Sequence, residues 1–393
     1  MKSEPIARIK ANLADWGLDE AELAKRMEAC KSNVDQAFHA ALEGTTPKYN
    51  RQELRDDLFA PAPDFDHSSA NTKEMRLIDA IHDGLNEAMK LWPNLVLMGQ
   101  DIGAYGGVFK ATDGMKGTYG SARVRNTPLC ESAIVGASLG YAIAGGKAMM
   151  EMQFSDFVTT GFNQIVNNLA KLHWRWGQAV DVVIRMPTGA GVAAGPYHSQ
   201  STEAWFTHVP GLKVVYPAWP SEAKALLLQS LSDPNPVLFF EHKALYRTLK
   251  EEVAEGLVSM PLGQAKIECS GEDLTIVTYG MGVHWALQTI SDLDLQKRVE
   301  VINLRTLVPL DFKAIRHSLS KTGKVLILQE DIAVGGFGEH ISSLIAAECF
   351  EYLDGPVRLV ASDATPVPFS AELEQGYLAS SKLEEEIQNL LAF

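Results

Sequence analysis

TPLCESAIVGASLGYAIAGGKAMMEMQFSDF, residues Thr127–Phe157, decides the fold class. A helix begins at Glu131, and Gly136, Gly140 and Ala144 follow at four-residue spacing, so one face is nearly bare backbone and can approach a partner closely. Gly145 and Gly146 stop the helix, and Ala148–Phe154 then reads as a short buried strand bounded by turn residues. A tightly packed helix feeding a buried parallel strand is the repeating unit of a doubly wound sheet. Glu131 itself has two readings. It is either a helix N-terminal acid favoured by the dipole, or a carboxylate shielded in an apolar pocket, where it can bond a protonated ring nitrogen or do acid–base work.

The alternation extends in both directions. It predicts a helix over Met75–Leu91, a strand over Leu95–Met98, a helix over Phe162–Trp176 and strands over Val180–Met186 and Leu212–Tyr216. A helix from Ser221 and a strand over Val237–Glu241 follow. Beyond a connector, Lys250–Pro261, a second set has strands at Leu274–Tyr279, Val299–Asn303, Lys324–Gln329 and Val357–Val360, with helices between. The expected fold is α/β, with two separate doubly wound domains over residues 72–249 and 262–393. Residues 1–60 form an α-helical N-terminal extension, with Ile6, Ile9 and Leu13, then Leu23 and Met27, then Val34, Phe38 and Leu42 at helical spacing. Asp19 and Glu20 mark a helix start, Gly44–Pro47 a stop, and residues 61–71 a linker rich in Pro, Ser and Asp.

A hydrophobic content of 46% supports real cores, and a net charge of -14 opposes nucleic acid or an anionic membrane surface as partner. Cys30, Cys130, Cys269 and Cys349 contain no C-x-x-C pair, which fits neither a zinc site nor a disulfide framework and points to a reducing cytoplasm. The polar start at Met1 and the lack of any apolar run of about 18 residues argue against export and membrane spanning.

Three further segments could carry chemistry. PTGAGVAAGPYHSQSTEAWF, from Pro187 to Phe206, is a Gly-rich loop after a parallel strand, where such folds bind ligands. Its Gly189, Gly191 and Gly195 depart from a dinucleotide fingerprint, because the third glycine is displaced and Pro196 follows where a helix should open. His198 in this loop is either satisfied by a backbone carbonyl or a proton shuttle, whereas His208 and His242 have no metal spacing and read as structural. GGFGEHI, from Gly335 to Ile341, reads as an anion cradle or a plain tight turn, and Tyr246-Arg247 as a cation near a sheet edge or a surface ion pair.

NTPLCE at Asn126–Glu131, EMQFSDF at Glu151–Phe157, YHSQS at Tyr197–Ser201, HVPGLKVVYP at His208–Pro217 and NLRTLVPLD at Asn303–Asp311 occur in that order. Together they resemble the beta subunit of the thiamine diphosphate-dependent 2-oxoacid dehydrogenases, over Thr72–Phe393, and are closer to the branched-chain 2-oxoacid type than to pyruvate dehydrogenase. The resemblance implies a pyrimidine-binding domain followed by a transketolase-type C-terminal domain. It implies that Glu131 bonds N1' of the cofactor aminopyrimidine, that Phe157 packs on that ring, and that Leu129 and Gln153 line its pocket. It gives His198 proton transfer beside the substrate and lipoyl group, and it implies a potassium ion at Val182, Ser230, Asp233 and Asn235, held mostly by backbone carbonyls.

Two departures qualify the match. The family's Gly-Asp-Gly motif for the diphosphate and its Mg²⁺ belongs to the alpha subunit and does not occur here, so this chain carries half a cofactor site. In addition, EPIARIKANLADWGLDEAELAKRMEA resembles the C-terminal helices of an alpha subunit. The expected assembly is an alpha2beta2 heterotetramer that decarboxylates a small 2-oxoacid and passes the acyl group to the lipoyl acyltransferase core. A pyruvate or acetoin dehydrogenase beta subunit, and an inactive assembly protein, stand as alternatives.

Overall fold

The computed structural model describes residues 4–17, 19–46 and 48–393; Pro47, part of the predicted helix stop, lies outside them. The unit up to Arg55 contains helices Pro5–Ala11 and Glu20–Glu43. Asp19 caps the longer one, its carboxylate accepting the Glu22 amide at 2.7 Å. Met27, Val34, Phe38 and Leu42 recur along that helix as predicted, and all four are exposed.

The second unit, Asp56–Phe393, contains the sheets. Its strands in chain order are β1 (Thr72–Arg76), β2 (Leu95–Gly99), β3 (Val124–Asn126), β4 (Lys147–Glu151), β5 (Val182–Thr188), β6 (Lys213–Val215) and β7 (Val237–His242), then β8 (Lys250–Ala254), β9 (Lys266–Cys269), β10 (Leu274–Thr278), β11 (Val299–Asn303), β12 (Thr306–Val308), β13 (Val325–Ile332) and β14 (Arg358–Ser362). A seven-stranded sheet runs β12-β6-β7-β5-β4-β2-β3, and all its pairs are parallel except β12 with β6. A five-stranded sheet runs β14-β13-β10-β11-β9, with only β9 antiparallel.

Strands β4, β5 and β7 are buried along their whole length, because helices cover both faces of the sheet. Side chains alternate accordingly. Met150, Ile184 and Phe240 pack with Ile134, Val135 and Leu139 of the Glu131–Ile143 helix, whereas Met149, Val183 and Phe239 pack with Leu85 and Leu227 on the other side. The Glu131 helix ends as its sequence dictates. Gly145, at φ +86°, donates to Ala142 O at 3.0 Å, and Gly146 donates to Tyr141 O at 3.0 Å, the paired bonds of a left-handed glycine C-cap.

Several boundaries differ from the periodicity. The helix predicted from Met75 starts at Leu77, because Met75 and Arg76 pair with Glu251 and Lys250 in an antiparallel β1–β8 ribbon that also claims part of the predicted connector. The strand predicted over Ala148–Phe154 ends at Glu151, where the chain turns into a 3-10 segment, Ser155–Gly161. The helix predicted over Phe162–Trp176 is π-helical over Gln164–Leu169 and continues as an α-helix over Ala170–Trp176. The two sheets are also not separate. Val277, Ile302 and Ile327 of the second sheet belong to the same core cluster as Ile184 and Phe240 of the first, and β12, from beyond β11, forms an edge of the first sheet.

Candidate active site

After β2 the chain moves to one edge of the seven-stranded sheet for β3, and after β3 it crosses back to place β4 on the other side of β2. The crevice at the carboxyl ends of β2 and β4 is therefore the topological switch point, where open α/β sheets bind ligands. Glu131 opens the helix that follows β3 and faces this end of the sheet. Only 7% of it is exposed. Gln100, just past β2, donates from Nε2 to Glu131 Oε1 at 3.0 Å. The Thr160 hydroxyl lies between Glu131 Oε2, at 3.2 Å, and Phe157 O, at 2.8 Å. These bonds orient the carboxylate and leave acceptor capacity free for a ligand N–H.

The other predicted residues lie around it. Leu129 is 80% exposed on the approach to the helix. Gln153 donates to Asp101 Oδ2 at 2.9 Å, tying the ends of β4 and β2 together. Phe157 is half-buried and packs edge-on to His198 at 5.5 Å, and Phe154 does the same at 4.8 Å. The structure thus joins Glu131, Phe157 and His198 through the 3-10 segment after β4. Gln100 and Thr160 were not singled out from sequence; the position of Gln100 immediately after a predicted parallel strand was the available signal.

Beneath His198 the aromatic contacts continue from Phe154 to Phe109, at 5.5 Å, and from Phe109 to Tyr246, at 5.1 Å. Tyr246 donates to Glu241 Oε2 at 2.6 Å. Arg185, on β5, forms a bidentate pair with Glu241 of β7 at 2.6 Å for both bonds, and its third nitrogen meets Glu151 of β4 at 2.6 Å. All three charged residues are buried. Tyr246, read from sequence as part of an edge pair with Arg247, is instead a member of this inner network.

Glu203 is a further buried acid. The Tyr279 hydroxyl donates to its Oε1 at 2.9 Å, and its Oε2 has no partner. Burial, with Asp331 and Glu330 facing it, pushes Glu203 up to about 8 from an ordinary 4.5. Burial likewise pushes Asp331 up to about 7 from 3.8. Both groups hold protons more tightly in the folded chain than in the unfolded one, so folding stability falls as pH rises from about 5 through 8. Thermal unfolding at pH 8.5 is expected roughly 3–8 °C below that at pH 5.5. Glu203→Gln should flatten the difference, and an unchanged slope in that variant would remove Glu203 as its source.

The remaining predicted positions lie elsewhere or are already engaged. Ser230, Asp233 and Asn235 lie with Val182 at the amino ends of β5 and β7, away from the crevice. Ser230 donates to Leu226 O at 2.7 Å, Asp233 pairs with Lys213, and Asn235 exchanges two bonds with Ala60 at 2.7 and 2.9 Å. GGFGEHI opens the helix Phe337–Glu348, with Gly336 as its N-cap; the Gly338 amide donates to Gln329 of β13 at 2.6 Å and the Gly335 amide to Glu339 at 2.8 Å, so these amides are already satisfied by side chains. The four cysteines are free, and no helix among the described residues is long and apolar enough to cross a membrane.

Comparison with known proteins identifies both domains. Residues 73–248 match the family model for the transketolase pyrimidine-binding domain, and residues 263–382 that for the transketolase C-terminal domain. The chain is similar to the 2-oxoisovalerate dehydrogenase subunit beta of Bacillus subtilis (strain 168), 40% identical over 324 residues that cover 81% of this chain and 99% of that protein. It is also similar to the acetoin:2,6-dichlorophenolindophenol oxidoreductase subunit beta of Cupriavidus necator, 39% identical over 77% of this chain and 93% of that protein. A solved structure described as a split gene transketolase, inactive beta4 tetramer, shares the fold with a TM-score of 0.64 at 20% identity, over 81% of this chain and 98% of that one.

Proposed function

Because the chain belongs to the family of 2-oxoacid dehydrogenase beta subunits, with transketolase pyrimidine-binding and C-terminal domains, we propose that it is the beta subunit of a branched-chain 2-oxoacid dehydrogenase. It takes part in the thiamine diphosphate-dependent oxidative decarboxylation of 2-oxoisovalerate-type acids and in transfer of the acyl group to a lipoyl domain. The observation that carries this reading is the buried Glu131 carboxylate at the switch point, held by Gln100 and Thr160 with acceptor capacity to spare.

The residues present suit the aminopyrimidine half of the cofactor. A water-shielded carboxylate, an exposed Leu129 and a half-buried Phe157 ring fit a flat heterocycle with one protonated nitrogen. When bound, thiamine diphosphate supplies the nucleophilic carbon and electron sink that loss of CO₂ from a 2-oxoacid requires. Glu131 would accept a hydrogen bond from the ring nitrogen N1', and Phe157, Leu129 and Gln153 would line the ring. His198, braced by Phe154 and Phe157, moves a proton at its ring nitrogen beside the substrate. The diphosphate and Mg²⁺ belong to an alpha partner, in keeping with the absence of a Gly-Asp-Gly motif. A potassium ion at Val182, Ser230, Asp233 and Asn235 would rest on backbone carbonyls, since the three polar side chains are committed within the chain.

An alpha2beta2 assembly draws support from the same helix. Ala133, Ala137, Gly140 and Ala144 are exposed, and a Cβ built on Gly140 meets nothing within 4 Å. Gly136 instead turns towards Gln164, because a four-residue spacing drifts by about 40° per step around a helix. Gly140→Leu is therefore expected to leave the isolated chain folded, with little change in Tm, while weakening association with alpha at least tenfold. Unchanged association would place the interface elsewhere.

The test of function is decarboxylation by this chain with thiamine diphosphate and Mg²⁺, alone and mixed with an alpha subunit, using 2-oxoisovalerate, pyruvate and acetoin in parallel. Turnover only in the mixture, with the highest kcat/KM for the branched acid, is the expected result. A preference for pyruvate or acetoin would reassign the substrate. Stable association without turnover would overturn the enzymatic reading in favour of an assembly protein.

A further inference from the structure

The loop that carries His198 leaves β5 at Thr188 and re-enters a short helix, Ala204–Thr207. It contains no regular element between these points, and it includes positive φ at Gly189, Gly191, Ala193 and Gly195. For Ala193, at φ +55°, the left-handed backbone is a strained conformation. Something outside the loop must hold it, and its partners come from both domains: Asp156 accepts the Gln200 amide at 3.1 Å and its side chain at 3.0 Å, Lys243 donates to Gly189 O, and Glu330 and Glu374 of the C-terminal domain hold the rest.

Glu330, on β13, accepts the Ala190 amide at 2.6 Å and the Ser201 hydroxyl at 3.2 Å through Oε1, so one carboxylate oxygen ties both ends of the segment around His198. Its Oε2 meets His242 Nε2 at 2.6 Å. Glu374, 3% exposed, accepts the amide of the strained Ala193 at 2.9 Å. A Cβ on Gly189 would lie 2.1 Å from His242 Nε2 and 3.0 Å from Glu330 Oε1, and one on Gly195 would lie 2.4 Å from the Phe369 ring. The loop backbone is thus moulded against residues far along the chain, up to 181 positions away. A pocket of about 250 Å³ lies between the loop, at Pro196 and Ser201, and Val367 and Tyr377 of the C-terminal domain.

We propose that Glu330 is a positioning residue for the reaction: with Glu374 it fixes the backbone of the 189–201 loop, and through that backbone it sets His198 against Phe154 and Phe157. The C-terminal domain then has a stated task in this chain, to shape a loop of the pyrimidine-binding domain. The inference rests on the reading of His198 given above only where turnover is concerned; the restraint of the loop stands by itself. Glu330→Ala removes every acceptor. Glu330→Gln keeps an oxygen for the Ala190 amide but loses the charge that faces His242.

The test has two arms. Hydrogen exchange of the full-length chain reads the loop directly. Glu330→Ala should speed exchange in the 189–201 segment at least tenfold, and Glu330→Gln by about two- to fivefold, while β4 and β10 keep wild-type protection. Loop exchange equal to wild type in both variants, or a rise only together with β4 and β10, overturns the proposal. The second arm compares His198→Ala, Glu330→Ala and the double variant in the complex with alpha. Acting through His198, Glu330→Ala should lower kcat with little change in KM, and the double variant should be no slower than His198→Ala. Fully multiplicative losses would overturn the positioning role. A silent His198→Ala combined with a loosened loop would instead sink the assignment of His198 and leave the restraint intact.

Discussion

Glu131→Gln is expected to abolish decarboxylation for practical purposes, with a loss of about 10²–10⁴-fold in kcat, while the chain stays folded. The amide replaces the carboxylate isosterically: its oxygen still accepts from Gln100, and its nitrogen can donate to the Thr160 hydroxyl. Stability should therefore change by less than about 1 kcal/mol. What disappears is the negative charge available to a protonated ring nitrogen in a site largely closed to water, where electrostatic interactions are strongest. Single-turnover measurements in the complex with alpha check the rate, and thermal unfolding of the chain alone checks the fold. Wild-type turnover in this variant would show that Glu131 is only a helix-start acid.

Arg185→Met is expected to produce the largest loss of stability, about 3–5 kcal/mol, read from denaturant unfolding. The substitution conserves much of the volume but leaves Glu151 and Glu241 facing each other in the sheet interior without a cation. Two uncompensated carboxylates at that depth must take up protons or admit water, and either disrupts the register of β4, β5 and β7. The effect should reach His198, since Tyr246 bonds Glu241 and begins the aromatic series through Phe109 and Phe154. Adding Glu151→Gln and Glu241→Gln to Arg185→Met should recover most of the loss, because the buried charge is then gone. A cost below about 1 kcal/mol for the single substitution would mean that solvent reaches the triad.

Legibility in sequence followed how local each cause is. The Glu131 helix, its glycine stop and the buried strands were readable, because period and capping act within one or two turns of chain. Met75 was assigned to a helix because its apolar period is compatible with one; pairing with Glu251, far along the chain, overrode that preference. The Phe162–Trp176 pattern did not reveal its π-helical turn, since one extra residue per turn barely alters an apolar period over six residues. Arg185 passed unnoticed inside an apolar run, and only its two carboxylates from neighbouring strands explain its burial. The same holds for Glu330, whose contacts with Ala190 and Ser201 join β13 of the second sheet to the loop that follows β5 of the first.

By itself, the sequence determined the α/β class, the apolar faces, the carboxylate at the head of a small-residue helix and the histidine in the loop after a parallel strand. Tertiary structure alone decided that β12 completes the first sheet, that the two sheets share a core, that Gln100 and Thr160 orient Glu131, and that the C-terminal domain holds the His198 loop. The division has a physical cause. Periodicity and capping record energies exchanged between residues a few positions apart, whereas a buried charge or a strained loop is stabilised by whichever distant group the packed chain brings within hydrogen-bond reach.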